Sequence, residues 1–216
     1  MRSERDRAKS YFDRVPSKWD AMYSHESPAR YFFNRLMRRA VFDRYRLTFE
    51  NCGSISGARV LDIGCGTGRY SLEFAVRGAT RVVGIDFAPG MVDFSRRMAE
   101  QMNVADKCRF VCSDFSSFSF DDDFDIVLAL GFFDYVQDPL IFLKKIFGLT
   151  NRVFLASFPH NGRLWRIQRK IRYHWVKGCP VYDYTIPQVE QLYRETSFPL
   201  QKIVPMRHGL FAVAVR

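Results

Sequence analysis

No CxxC pair, no HExxH and no comparable ligand spacing occurs in this sequence, although it holds five cysteines and four histidines. Cys52, Cys65, Cys108, Cys112 and Cys179 leave one over in any full pairing, which suits a reducing compartment better than a disulfide framework. His25, His160, His174 and His208 are scattered, so no metal site is expected. Long apolar runs are lacking too. The longest clean one, Ile126 to Phe133, is far shorter than the ~20 residues a bilayer crossing takes, and the opening MRSERDRAKS has no apolar signal core. The expectation is a soluble, cytoplasmic protein without a membrane span. No internal repeat or low-complexity tract is present, which removes solenoids and disordered arrays.

What is present is enough for one sizeable core: 216 residues, 47% of them hydrophobic, fit a single compact domain with an added N-terminal segment. The formal net charge of +10 favours anionic partners. Nucleic acid, a lipid surface and an acidic small molecule all remain open on charge alone.

Periodicity divides the chain into a helical segment, 1–56, and an alternating strand and helix region, 57–216. In ARYFFNRLMRRAVFDRY the residues Phe33, Leu36, Met37, Ala40, Val41 and Tyr45 recur at helix spacing, while Arg35, Arg38, Arg39 and Arg46 fall largely elsewhere. Beyond Ala58, strands are expected at Arg59–Ile63, Arg81–Ile85, Cys108–Cys112, Phe124–Leu130 and Val153–Ser157. Helices should run over Arg69–Arg77, from Pro89 with Met91, Met98 and Met102 on one face, and from Asp138 and Pro139 to Gly148. TIPQ, Thr185 to Gln188, reads as a capping box, and Gln201–Val204 with Leu210–Val215 as a terminal hairpin. Such alternation calls for an α/β fold with parallel strands and crossover helices on both faces. Ligands of such sheets sit beyond the carboxyl ends of the central strands, which brings Gly64, Asp86, Asp114 and Gly131 to one crevice.

The stretch VLDIGCGTGRY, Val60 to Tyr70, spaces Gly64, Gly66 and Gly68 at every second position. A dinucleotide fingerprint would need a small residue where Arg69 stands, and a Walker loop would need a lysine that is absent. Two acids flank the loop instead: Asp62, just before the first glycine, and Asp86, at the end of the next strand. Carboxylates here repel pyrophosphate and attract an ammonium or sulfonium, so the ligand expected is a cation with a ribose. Asp86 can accept from two ribose hydroxyls and Asp114 from an adenine amino group, while the glycines let backbone approach closely. Asp86 and Asp114 also suit capping of the following turns, and Phe87 and Phe115 suit a core.

VLDIGCGTG, VVGIDFAPGMV, FVCSDF and FDIVLALGFFDYV, in this order between Val60 and Ser157, make the chain resemble the class I S-adenosylmethionine-dependent methyltransferases. The resemblance implies a Rossmann-like, seven-stranded, mostly parallel sheet with a reversed last strand and S-adenosyl-L-methionine as cofactor. It also implies that Gly64, Gly66 and Gly68 back the methionine moiety, Asp62 faces its amino group and Asp86 the ribose. Phe87 and Phe115 would flank the adenine, Asp114 contact its amino nitrogen, and Leu130 present its carbonyl. Trp19 and Tyr23, in KWDAMY, resemble a WDxxY stretch that folds over the cofactor in small-molecule members of the family.

The acceptor is read from the segment after the fourth strand. GFFDY, Gly131 to Tyr135, is neither the tetrapeptide of base-amino methylation nor a Pro-Cys nucleophile, and it has no paired glutamates for arginine methylation. The insertion at 160–184 carries Arg163, Arg166, Arg169, Lys170, Arg172 and Lys177, interleaved with Trp165, Tyr173 and Trp175. A lid over an acidic or aromatic small molecule, methylated on oxygen, is the expected arrangement, and a solvated basic helix the alternative. YFDRVPSKWD and YHWVKGCPVY are similar, as fragments, to O-methyltransferases of the magnesium-protoporphyrin type, which esterify a propionate. A carboxylate acceptor pairs with arginine and needs no base; for a phenol, His160 or Tyr135 would be the base or orienting group. An RNA methyltransferase and a catalytically silent cofactor-binding subunit are the competing readings.

Overall fold

The computed structural model describes residues 39–160, 162 and 181–216. Helix α1 (Arg39–Asn51) is followed by β1 (Arg59–Ile63), α2 (Arg69–Val76), β2 (Arg81–Asp86), α3 (Pro89–Gln101), β3 (Cys108–Cys112) and β4 (Phe124–Ala129). A 3-10 turn (Phe133–Tyr135) leads to α4 (Pro139–Leu149), β5 (Thr150–Pro159), α5 (Ile186–Glu195), β6 (Leu200–Met206) and β7 (Gly209–Val215).

The strands form one seven-stranded sheet in the order β3-β2-β1-β4-β5-β7-β6. Pairing is parallel from β3 through β5, and β7 runs antiparallel to both β5 and β6. The fold is the expected α/β sheet with a reversed last strand. The chain progresses outward in one direction from β1 to β3 and in the other from β4 onward, so β1 and β4 flank the topological switch where such sheets open a crevice.

Central strands need both faces covered, and the sequence supplies near-continuous apolar runs for it. On one face Val60, Val82, Ile126, Leu128 and Leu155 are buried with Leu72, Phe74 and Val92, under α1, α2 and α3. On the other, Leu61, Ile63, Val127, Phe154 and Phe158 are buried with Leu143, Ile146, Val189 and Tyr193, under α4 and α5. Helix α1, the described part of the N-terminal segment, docks through rings. Tyr45 lies 4.8 Å from Phe49, Phe49 lies 4.9 Å from Phe74, and the Arg77 guanidinium covers the Phe49 ring at 4.0 Å.

Helix starts follow local chemistry. Asp138 accepts from the Leu140 amide with Pro139 in the first turn, and Thr185 and Gln188 form the reciprocal capping box. Three expectations need adjustment. Gly148 does not end α4, which continues through Leu149 and passes directly into β5, with Thr150 Oγ1 donating to Ile146 O at 2.7 Å. Strand β5 is longer than Val153–Ser157 because it pairs with β7 from Val153 to Pro159. The inward stripe of α3 is Met91, Val92, Ser95 and Ala99, while Met102 is its exposed C-cap.

Candidate functional site

The turn after β1 is held from behind. Gly64 N and Cys65 N both donate to Ile85 O, at 2.8 and 3.1 Å, tying the turn to the end of β2. Gly64, Gly66 and Gly68 all have positive φ, at 68°, 54° and 73°, a region that costs L side chains roughly 1–2 kcal/mol. A Cβ on Gly66 would meet nothing within 4 Å, so this side of the turn is open. Gly68 differs: a Cβ there would lie 2.8 Å from Ser95 Oγ and 3.1 Å from Phe110 Cε1, so its bareness lets α3 and β3 close on the turn. Ser95 Oγ in turn sits 2.9 Å from Gly66 O.

Asp86, 8% exposed, spans two backbone segments: Oδ2 accepts from Gly66 N and Oδ1 from Ala88 N, both at 2.9 Å. Asp62 lies deeper, 2% exposed, with Oδ2 accepting from Ser71 Oγ at 2.7 Å. Burial pushes its carboxyl up to about 6; hydrogen bonds from Ser71 offset part of that rise and the Asp86 charge adds to it. A cation brought to this corner would favour the ionised form of Asp62, so the acid pair suits an ammonium or sulfonium. The donor set fits a cationic ribonucleoside.

Beyond β3, Asp114 folds its own turn: Oδ1 accepts from Ser116 N at 2.8 Å and its carbonyl from Phe118 N at 3.1 Å. Phe87 is half-buried. Phe115 is 4% exposed and packs with Phe120, Phe132 and Phe142, so most of its ring area belongs to the core. Leu130 is likewise buried, at 8%.

At the end of β4, Gly131 (φ 80°) donates its amide to Ser157 Oγ at 2.8 Å, and Arg44 Nη1 of α1 donates to the same oxygen at 3.2 Å. The Arg44 guanidinium lies so close that a Cβ on Gly131 would fall 2.9 Å from Nη1. Arg44, Ser71, Ser95 and Ser157 escaped the sequence reading. For Arg44 a signal existed: it stands three residues after Val41 and four before buried Thr48, on the inward side of its helix.

Tyr135 closes the 3-10 turn after β4, half-buried, and His160 follows β5, exposed. One strip of chain borders both: Tyr182 N donates to Asp134 O at 3.0 Å, Tyr184 N to Pro159 O at 2.8 Å, and Tyr184 Oη to Val136 O at 2.9 Å. His160 Nδ1 lies 2.6 Å from Tyr184 O. A carbonyl only accepts, so Nδ1 carries a proton, and in the neutral ring Nε2 is the nitrogen that holds the lone pair. Trp19, Tyr23 and the basic residues from Arg163 to Lys177 lie outside the described residues. Among the described residues no group of His, Cys, Asp or Glu could hold a metal, and no helix is long and apolar enough to cross a membrane.

Residues 60–152 match the family described as a methyltransferase domain. The fold is that of a magnesium protoporphyrin IX methyltransferase from Synechocystis, solved with bound SAH: TM-score 0.76 at 18% identity, over 99% of this chain and 100% of that one. The match to a methyltransferase domain thus takes in β1 to the start of β5, and the fold is one that S-adenosylmethionine-dependent methyltransferases take. A structure of an S-adenosylmethionine-dependent methyltransferase from Mesorhizobium loti superposes on this domain with TM-score 0.64 at 17% identity, covering 75% of this chain and 92% of that one. In sequence, the chain is 29% identical over 119 residues to a ubiquinone biosynthesis O-methyltransferase of Aeromonas salmonicida, covering 54% of this chain and 50% of the relative. It is 36% identical over 115 residues to the enzyme of that name from Bordetella parapertussis, covering 52% and 47%. The chain thus spans about half the length of the curated relatives it matches.

Proposed function

We propose that the protein transfers a methyl group from S-adenosyl-L-methionine to an oxygen of an acidic or aromatic small molecule. The observation that carries this reading is the charge layout of one crevice: buried Asp62 and Asp86 at the β1 and β2 ends, and the Arg44 guanidinium at the β4 end. That layout complements a zwitterion with an added cationic centre. Its ammonium and sulfonium side suits the acids, and its carboxylate suits Arg44.

In this reading Gly64, Gly66 and Gly68 form the backbone cradle, with Gly68 acting through the packing of α3. Asp62 balances the ammonium, Asp86 accepts from the ribose, and Asp114, Phe87 and Phe115 form the adenine end with Leu130 lining the crevice. The N-terminal segment before α1, with Trp19 and Tyr23, and the basic 160–184 insertion are assigned to covering the site.

The bound cofactor supplies an electrophilic methyl carbon on a sulfonium. An acceptor oxygen forms its bond to that carbon as the carbon–sulfur bond breaks, and the electron pair stays on sulfur as a neutral thioether. The protein's task is therefore to orient the oxygen and exclude water. A carboxylate acceptor has no proton to lose. A phenol does, and His160 Nε2, its tautomer set by the Tyr184 carbonyl, is the group to take it, with Tyr135 orienting the ring from the facing turn. The names of the relatives, O-methyltransferases of ubiquinone biosynthesis and a magnesium protoporphyrin methyltransferase, support oxygen as the acceptor atom. A cytoplasmic setting goes with this reading, in keeping with the free thiols of Cys52, Cys65, Cys108 and Cys112.

The test is incubation of the purified protein with methyl-labelled S-adenosylmethionine and cell extract. Label should appear in material that passes a small-cutoff filter. The net charge of +10 favours RNA as the second reading; label confined to RNA, with affinity falling steeply in salt, would establish that instead.

A further inference from the structure

Lys145 of α4 gathers three backbone carbonyls of a single turn. Its Nζ donates to Phe115 O at 2.6 Å, to Ser116 O at 3.2 Å and to Phe118 O. An ammonium has three protons, and this turn offers an acceptor for each. The ammonium also stands 4.8 Å from the Phe115 ring centre, within cation–π range. Burial lowers its pKa, while the Asp114 charge acts in the opposite sense.

The turn so held is the one after β3. Its start is tied to β2 by Ser113 N donating to Asp86 O at 3.0 Å, and its first half is folded by Asp114. Ser116 and Ser117 are exposed, so apolar burial does little to hold the backbone there. Phe115 anchors one side of the turn in the core, and the exposed stretch after it opens readily unless its backbone groups are pinned. Lys145 reaches it from α4, which follows β4 in the chain, and ties the turn to that helix.

We infer that Lys145 is a positioning residue for the cofactor: by gathering the Phe115, Ser116 and Phe118 carbonyls it holds Asp114 and Phe115 where the adenine end is received. Lys145 touches neither cofactor nor acceptor in this assignment. It sets cofactor affinity and leaves the chemical step alone. The inference rests on the cofactor assignment proposed for this crevice, and its test is built to separate the two.

The probe is S-adenosylhomocysteine, titrated calorimetrically into the full chain without any acceptor. Lys145→Met, which keeps the apolar stem and removes all three donors, should bind at least tenfold more weakly than the parent. Lys145→Arg, which restores charge and donors, should recover most of that loss. Turnover at saturating cofactor should stay within about twofold, so that KM moves and kcat does not. Amide exchange supplies a measurement on the parent itself, independent of how well the Met variant folds. S-adenosylhomocysteine and adenosine should both slow exchange across 113–119, and homocysteine should not. Met-variant binding within twofold of the parent, or cofactor protection of 64–68 with none at 113–119, overturns the role of Lys145. A parent that takes up no S-adenosylhomocysteine overturns the cofactor reading and this inference with it.

Discussion

Arg44 of α1 donates to Ser157 Oγ at the end of β5, 3.2 Å away, on the oxygen that also receives the Gly131 amide. A cation from the N-terminal segment is thereby built into the rim of the sheet, beside the turn that ends β4. If it receives the cofactor carboxylate, Arg44→Ala should weaken S-adenosylhomocysteine binding by roughly 10- to 100-fold, the scale of a charge-assisted hydrogen bond. Arg44→Lys should recover part of this, lacking the planar fork. Calorimetry of both variants checks it, and equal binding by Arg44→Ala would remove the guanidinium from the site.

Gly131→Ala tests the same corner from the other side. The new methyl would fall 2.9 Å from Arg44 Nη1 on a residue with φ of 80°, so the guanidinium must move. Affinity for S-adenosylhomocysteine should fall with little further loss when Arg44→Ala is added, because one contact is being removed twice.

Asp62 carries a testable conflict between stability and binding. Its folded pKa, about 6, lies above the ordinary carboxylate value, so the folded state binds the proton more tightly than the unfolded one. The resulting stability is fully present below pH ~4 and is lost as pH rises through the folded value of about 6. Asp62→Asn has no charge to bury. At pH 8 it should therefore be more stable than the parent by on the order of 1–3 kcal/mol, and chemical denaturation at pH 5 and 8 measures the difference. Binding runs the other way: affinity for S-adenosylmethionine in the parent should drop as pH falls below about 6, and the Asn variant should bind weakly without that step.

Much of this layout was legible in the sequence, for reasons that differ by element. The bounds of β1 and β3 could be read because β1 lies between Gly57–Ala58 and Gly64, and β3 between Asp106–Lys107 and Ser113–Asp114. The crevice could be read because parallel strands bring Gly64, Asp86, Asp114 and Gly131 to one edge by topology alone. The extent of β5 could not, since its length is set by pairing with β7, far along the chain. Nor could the division of labour among the glycines: spacing makes Gly66 and Gly68 look equivalent, and only the neighbours of each distinguish an open turn from a packing contact. Arg44 was hidden by its type, an arginine among many on a basic helix, although its place in the inward stripe marked it.

That division predicts unequal costs. Gly66→Ala meets no atom within 4 Å and bears only the strain of its φ of 54°, about 1 kcal/mol. Gly68→Ala adds contacts at 2.8 Å to Ser95 Oγ and 3.1 Å to Phe110, for a total of about 2–4 kcal/mol. Urea denaturation should rank Gly68→Ala as the less stable variant, and Ser95→Gly in its background should restore part of the loss. Binding should rank them differently, because the Gly66 methyl projects into the open side of the cradle.

His160 separates the two acceptor chemistries. Its Nδ1 is held by the Tyr184 carbonyl at 2.6 Å, so Nε2 can take a proton but has none to give while the ring is neutral. If the acceptor is a phenol, His160→Gln should lower kcat by 10²- to 10⁴-fold, the usual range for a lost general base. If the acceptor is a carboxylate, there is no proton to remove, and kcat should change little. Raising pH to pre-ionise a phenol should rescue the Gln variant in the first case only, which distinguishes loss of a base from a displaced Tyr182–Tyr184 strip.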